Sequence, residues 1–536
     1  MTTTATTTGK MPPQIPYIIG NEGCERFSFY GMKNVLTMFL ISYLLLDVPE
    51  ADRGVAAKDV MHTFVIGVYF FPLLGGWLAD RFLGKYKTIF YLSLVYCVGH
   101  ACLAIFESWR PGFYVGLGLI AFGSGGIKPC VSSFVGDQFD ASNKHLAKIV
   151  FDAFYWIINF GSFFASLLIP FLLKTAGPSV AFGVPGILMF IATVVLWLGR
   201  KQYVITPIRD EDPDAFSKVL KTALLSKTVR APASSSSLST AALSDADQQH
   251  EGGRPGLVLA VAGVVLAIAA LALTPQLGFV IAFCLAIVVL LVLGGGGAWL
   301  QLDRARGHHP DVDVDGARSV LRVLVLFGLV TPFWSLFDQK ASTWVIQATA
   351  MTHPDWFQPS QMQALNPLLV MLLIPFNNLV LYPALRRFGV EVTALRRMTA
   401  GIGFSSLAWI AVGVLQLQID AGSGVNIFWQ IVPFALLTFG EVLVSATGLE
   451  FAYSQAPPKM KGVLMSFWNL SVTVGNLWVL LSNSAVKNDT VTTSITNAGI
   501  GVIAFQMFFF AAFAFVAMLA FGFVARRYPV VDHYRA

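Results

Sequence analysis

Charge is scarce in this chain: Asp, Glu, Lys and Arg make up 12% of its 536 residues, about half the share found in an ordinary soluble domain. Together with a hydrophobic share of 55%, that scarcity excludes a soluble enzyme and describes a polytopic membrane protein. Cysteine is nearly absent too. Cys24, Cys97, Cys102, Cys130 and Cys284 are odd in number and sit in apolar segments, so buried free thiols are expected and no disulfide framework is implied. The Thr-rich start MTTTATTTGKMPPQIP lacks the basic-then-apolar order of a secretory signal and reads as a disordered tail. The apolar runs carry no aspartate-rich diphosphate motif, no nucleophile with its base and no metal-ligand spacing. A membrane-embedded enzyme is therefore not expected. The formal net charge of +6 does not indicate nucleic acid, because the basic residues recur between apolar segments instead of gathering in one module.

What is abundant is long apolar sequence. Fourteen runs are long enough to span a bilayer as helices, at roughly 17–46, 57–80, 86–108, 112–136, 146–174, 179–204, 256–274, 278–302, 320–348, 361–388, 394–418, 427–455, 460–486 and 498–527. The fold class is an all-α membrane protein. The reading divides the chain at roughly 1–16 (tail), 17–204 (six-helix bundle), 205–255 (linker), 256–303 (two added helices), 304–527 (second six-helix bundle) and 528–536 (tail). The linker holds SSSSLS at Ser234–Ser239 and shows helical apolar periodicity from Phe216 to Leu225. The two added helices are almost free of charge and contain the run Gly294–Gly297, so peripheral packing is expected for them. With the N-terminus inside, about 27 of the 36 Lys and Arg fall on the inner side and about five outside, which predicts cytoplasmic termini.

The exceptions to apolarity carry the chemistry. Asn21–Lys33, NEGCERFSFYGMK, puts Glu22, Glu25, Arg26, Tyr30 and Lys33 in the first span, within an arc of roughly 140° on one helix face. Each charge left at the centre of a bilayer costs about 2.5–3.5 kcal/mol. A stripe of both signs must therefore face a wet cavity or partner charges. Lys128 precedes Pro129, which loosens the fourth span. Glu441 lies midway along its span with Ser445 one turn on, and Asp338 has Trp334 one turn before it and Ser342 one turn after. Lys340, two residues past Asp338, points about 200° around a regular helix and receives no firm role. His62 and Tyr69 lie nearly one above the other, while His100 reads as structural.

Five segments share a pattern: ERFSFYG at Glu25–Gly31, GGIKPCVSSFVGDQF at Gly125–Phe139, FYWIINFGS at Phe154–Ser162, FWSLFDQ at Phe333–Gln339 and GEVLVSATGLEFAYSQ at Gly440–Gln455. With GGWLADRFLGKYK at Gly75–Lys87, they resemble the proton-dependent oligopeptide transporters of the major facilitator superfamily, in the bacterial form with two extra helices. The resemblance implies two six-helix bundles plus two helices, and a proton-coupled symporter of di- and tripeptides that works by alternating access. It implies proton coupling through Glu22, Glu25, Arg26, His62 and Asp338. Peptide binding would fall to Tyr30, Lys33, Tyr69, Lys128, Asn159, Trp334, Asn366, Glu441, Ser445 and Trp468. Gating would use the pairs Lys33–Asp338 and Lys128–Glu441, with Asp80 and Arg81 at the cytoplasmic loop. It further implies no cofactor beyond the proton, a multi-pass place in the cell membrane and a functional monomer in the lipid bilayer. Three positions depart from the usual pattern: Phe29 stands where tyrosine is common, and Lys33 and Asp338 stand for the arginine and glutamate of many relatives. Lysine lacks the planar fork of arginine, so a different substrate range is expected.

Overall fold

The computed structural model describes residues 10–140, 142–208, 212–226, 253–455 and 457–530. Most of the expected first tail, most of the linker with its serine run, and residues 531–536 lie outside these described residues. The described chain is helical, with two isolated β-bridges and no strand.

The long helices follow the apolar runs. They are α1 (Ile15–Phe39), α2 (Glu50–Leu83), α3 (Lys85–Ile105), α4 (Arg110–Gly136), α5 (Ala147–Ala176) and α6 (Pro178–Lys201). A short α7 (Phe216–Leu225) follows, then α8 (Pro255–Ala272) and α9 (Phe279–Leu300). The rest are α10 (Asp311–Thr349), α11 (Pro359–Arg387), α12 (Ala394–Asp420), α13 (Ile427–Gln455) and α14 (Lys461–Val486), a short α15 (Asp489–Asn497), and α16 (Val502–Arg527). Among the described residues 13 helices are long and apolar enough to cross a membrane. The polar stripe leaves α1 outside that number; with it the long helices match the fourteen expected runs.

Packing gathers the chain into two compact units, one of Met1–Arg209, Val330–Thr447 and Gly475–Phe523, the other of Asp210–Leu329, Gly448–Val474 and Val524–Ala536. In the first unit, α1 packs on α5 and α6, α3 on α4 and α6, and α12 on α13. Glycine sets the closest approaches. A Cβ on Gly75 of α2 would sit 2.2 Å from the Gly126 carbonyl oxygen of α4, and one on Gly401 of α12 would sit 2.7 Å from that of Gly440 on α13. Small residues let the backbones meet where apolar side chains have no water to escape from. The first unit also joins sequence-distant helices by polar contacts: Thr37 Oγ1 donates to the Ala341 carbonyl at 2.7 Å, and Gln363 Nε2 to the Asn34 carbonyl at 2.9 Å.

In the second unit, α8 and α9 form a close pair in which a Cβ on Gly256 would meet the Gly297 carbonyl at 2.2 Å, so the glycine run serves helix contact. Val258, Ile268, Phe279 and Val292 stay exposed. In α7, buried Phe216, Val219 and Ala223 follow helical spacing, and Gln301 Nε2 holds the helix's end by donating to the Ala223 and Leu224 carbonyls. Arg306 gathers Asp303, Asp311 and Asp315. All five cysteines are free; Cys130 and Cys284 are buried, whereas Cys24, Cys97 and Cys102 are half-buried, which corrects the expectation of five buried thiols.

Candidate functional site

The polar stripe of α1 faces inward. Glu22 and Glu25 are buried to 1% and 3% exposure, and Arg26 serves both. Its Nε lies 2.6 Å from Glu22 Oε1 and 3.2 Å from Glu25 Oε2. The i, i+4 spacing gives Glu22 the better contact, so Glu25 is the less satisfied carboxylate. Gly161 of α5 backs this turn, with Gly23 O and Arg26 Cβ against its α-carbon.

Two turns further on, Lys33 Nζ donates to Asp338 Oδ1 at 3.0 Å, both side chains being buried. The expected pair is thus formed. Asp338 Oδ2 accepts from Asn476 Nδ2 at 2.9 Å, Asn476 Oδ1 meets His62 Nδ1 at 2.6 Å, and His62 Nε2 meets Ser342 Oγ at 2.8 Å. A continuous buried chain therefore runs from α1 through α10 and α14 to α2. The sequence singles out Lys33, Asp338 and His62, and Ser342 by its place one turn after Asp338, but not the link between them, Asn476. The available signal was the spacing of Asn469, Asn476 and Asn483 at seven-residue steps, one amide stripe on an otherwise apolar helix. Asn483 extends the same contact between helices by donating to Asp59 at 2.9 Å.

A second cluster forms around Asn366. Its Nδ2 donates to Glu441 Oε2 at 2.5 Å and to Thr438 Oγ1 at 3.1 Å, while its Oδ1 accepts from Lys340 Nζ at 2.8 Å. Lys340 so acquires the partner its sequence position did not disclose. Asp338 and Lys340 face different neighbours, Lys33 and Asn366, in keeping with the wide angle between them, and α10 tightens into a 3₁₀ turn at Gln339–Ala341. Glu441 stands before a wide turn at Val442–Ala446, a distortion common at functional positions. Ser445 lies in that turn, half-buried.

Lys128 is not in contact with Glu441. Its ammonium sits over the rings of Tyr69, at 4.2 Å, and Phe29, at 4.7 Å, with Glu25, Arg26, Lys33 and Asp338 in electrostatic reach. Phe29, the departure from the tyrosine pattern, thus supplies a ring face to the cation. Tyr30 packs edge-on against Phe29. Asn159 is buried and donates to the Tyr155 carbonyl at 3.0 Å. Trp334 stacks with Phe333 and Phe337 and abuts Gly475. In the second unit, Trp468 packs on Phe327 and over Gly448. Asp80 is exposed and Arg81 half-buried at the end of α2, where Lys85 pairs with Asp137 at 2.6 Å.

A model of the POT family matches residues 86–252 and 301–503. This chain belongs to the POT family. Among POT family proteins it is 33% identical over 426 residues to solute carrier family 15 member 2 of Oryctolagus cuniculus, covering 76% of this chain and 49% of that protein. It is 33% identical over 426 residues to peptide transporter 3 of Caenorhabditis elegans, covering 76% and 51%. The chain spans about half the length of these curated relatives. It is also similar to two solved POT family structures. One, of an auto-inhibited POT family peptide transporter, has a TM-score of 0.92 and 66% identity over 98% of this chain and 99% of that one. The other, of the POT family transporter PepTSo, has a TM-score of 0.91 and 63% identity over 97% and 99%. The fold is accordingly that of the major facilitator superfamily.

Proposed function

We propose that the chain is a proton-coupled symporter importing di- and tripeptides by alternating access, a carrier and not an enzyme. The observation that carries this reading is the buried chain Lys33–Asp338–Asn476–His62, which ties helices from the two ends of the sequence through groups that bind protons. Removing one partner of such a buried pair costs about 3–5 kcal/mol, so protonation of Asp338 or His62 is enough to favour a separated arrangement. One pH unit supplies about 1.4 kcal/mol per proton and 100 mV about 2.3 kcal/mol per charge.

A peptide is a zwitterion, and the site offers ends for both charges. Glu441, oriented by Asn366, suits the amine. Arg26, Lys33 and Lys128 suit the carboxylate, Lys128 best, because ring faces and no contacting carboxylate hold it. Tyr30 and Tyr69 add hydroxyls, Asn159 an amide, and Trp334 and Ser445 surfaces for variable side chains. In this reading the Lys128–Glu441 pair belongs to another stage of the cycle. With both termini cytoplasmic, as the Lys and Arg distribution favours, the Lys33–Asp338 chain closes the outer mouth and Asp80 and Arg81 serve the inner end. The site is a cell membrane, the working form a monomer and the coupling ion a proton, with no other cofactor.

The test is uptake of radiolabelled dialanine by proteoliposomes of the full chain, with and without an imposed pH difference. Accumulation that requires an acidic outside is expected. Uptake unaffected by the gradient rejects coupling, and failure of unlabelled dipeptides to compete rejects the cargo.

A further inference from the structure

Behind Glu25, away from Arg26, lies a buried polar group that the transport reading above leaves unused. Ser28 of α1, Ser93, Tyr96 and His100 of α3, and Ser124 of α4 are each exposed by 1% or less. Ser93, Tyr96 and His100 share one face of α3 by their three- and four-residue spacing. Tight helix contact delivers them: a Cβ on Gly123 would lie 2.8 Å from Tyr96 Cβ. His100 Nε2 meets Ser28 Oγ at 2.8 Å, and the imidazole stacks on the Tyr96 ring at 5.0 Å. That pair holds the phenol in place.

Its hydroxyl lies within reach of the Glu25 carboxylate and of the Ser124 and Ser28 hydroxyls. It completes no hydrogen bond of good geometry with a described residue, and neither do Ser93 Oγ, Ser124 Oγ or His100 Nδ1, while Glu25 Oε2 has only its ion pair with Arg26. Leaving buried polar atoms without partners is unfavourable, so four such atoms beside a carboxylate held by a single ion pair indicate a group poised between alternative bonds. Glu25 supplies the alternation. As a carboxylate it only accepts, whereas as an acid it donates its own O–H.

We propose that Tyr96 is a positioning residue for the coupling proton at Glu25: its hydroxyl donates to the ionised carboxylate and turns to Ser124 and Ser28 when Glu25 is protonated. This rests on the symport reading. The charged and titratable groups facing Glu25 are Arg26 and Glu22 from α1, Lys128 from α4 and Tyr96 from α3. From α5, Ile157 and Gly161 approach the same turn of α1. Donation to the ionised form favours that form, so its loss lets Glu25 take up a proton at higher pH.

The experiment is dialanine uptake against external pH, alongside dialanine counterflow without a gradient, for wild type, Tyr96→Phe and Ser124→Ala in proteoliposomes. Tyr96→Phe keeps the ring and its stacking. Its half-maximal pH is expected to rise by about one unit, with counterflow kept within about twofold. Ser124→Ala removes the alternative acceptor and is expected to lower the half-maximal pH by less, since Ser28 remains. Opposite displacements are not what a packing defect produces. The proposal is overturned if Tyr96→Phe follows the wild-type profile, or if both variants lose counterflow with midpoints unmoved. Absence of gradient-driven uptake in wild type instead overturns the symport reading itself.

Discussion

Two buried clusters share the first unit and differ in how well they are satisfied. Around Asp338, the Lys33, Asn476, His62 and Ser342 side chains are linked by a run of hydrogen bonds. Around Glu25, the carboxylate takes the longer of Arg26's two contacts, and Tyr96, Ser124 and His100 present polar atoms without partners. A fully bonded buried network specifies one arrangement, whereas a partly bonded one leaves several within reach. The first cluster therefore suits a closure that must hold, and the second suits a group that must gain and lose a proton on every cycle.

The comparison breaks most sharply at Glu25. Glu25→Gln or Arg26→Ala is expected to abolish gradient-driven dialanine accumulation, with Glu25→Gln keeping counterflow; normal accumulation by Glu25→Gln would assign coupling elsewhere. At the satisfied cluster the larger effect is on stability. Asp338→Ala strands the Lys33 ammonium at a cost of about 3–5 kcal/mol, seen as a lower Tm in detergent, and adding Lys33→Met is expected to restore most of the loss. A double variant no more stable than Asp338→Ala argues against that pairing. Between these extremes stands Asn366. Glu441→Ala is expected to weaken free-amine dipeptides by about tenfold, roughly one charge-assisted hydrogen bond, and N-blocked ones less. Equal losses remove the amine assignment.

The smallest effect lies outside the membrane. Burial pushes the Asp303 carboxyl up, but hydrogen bonds from Arg306 and Arg318 outweigh it and hold the group below the usual carboxylate range. A lowered folded value means the contribution is present above about pH 4 and is lost as pH falls through that value. Amide exchange near Asp303 is expected to quicken as pH is taken below the ordinary carboxylate range in wild type, and to change less in Asp303→Asn.

Much of this was legible because bilayer physics penalises the unusual. The fourteen runs could be read from length and apolarity, and the α1 stripe from the cost of charge inside them. The Lys33–Asp338 pair came from the family resemblance. Lys340 could be read only as pointing away from Asp338, because its partner Asn366 lies on another helix and no local spacing discloses that. Asn476 passed unnoticed, and Ser342 was noted only by its place one turn after Asp338, since single uncharged polar residues are affordable in a span and draw no attention until a partner is seen. His100, read as structural from sequence, does make a structural bond to Ser28. Its position beside Tyr96 depends on which helices pack together, and no local pattern encodes that.

The tightened turn at Gln339–Ala341 has a mechanical corollary. It sends Asp338 toward α1 and Lys340 toward Asn366, so opposite charges only two residues apart are anchored to different neighbours. Any tilt of that short segment must slacken one anchor as it strains the other. A pivot of this kind links the Lys33–Asp338 bond to the Lys340–Asn366 bond over the length of a single turn.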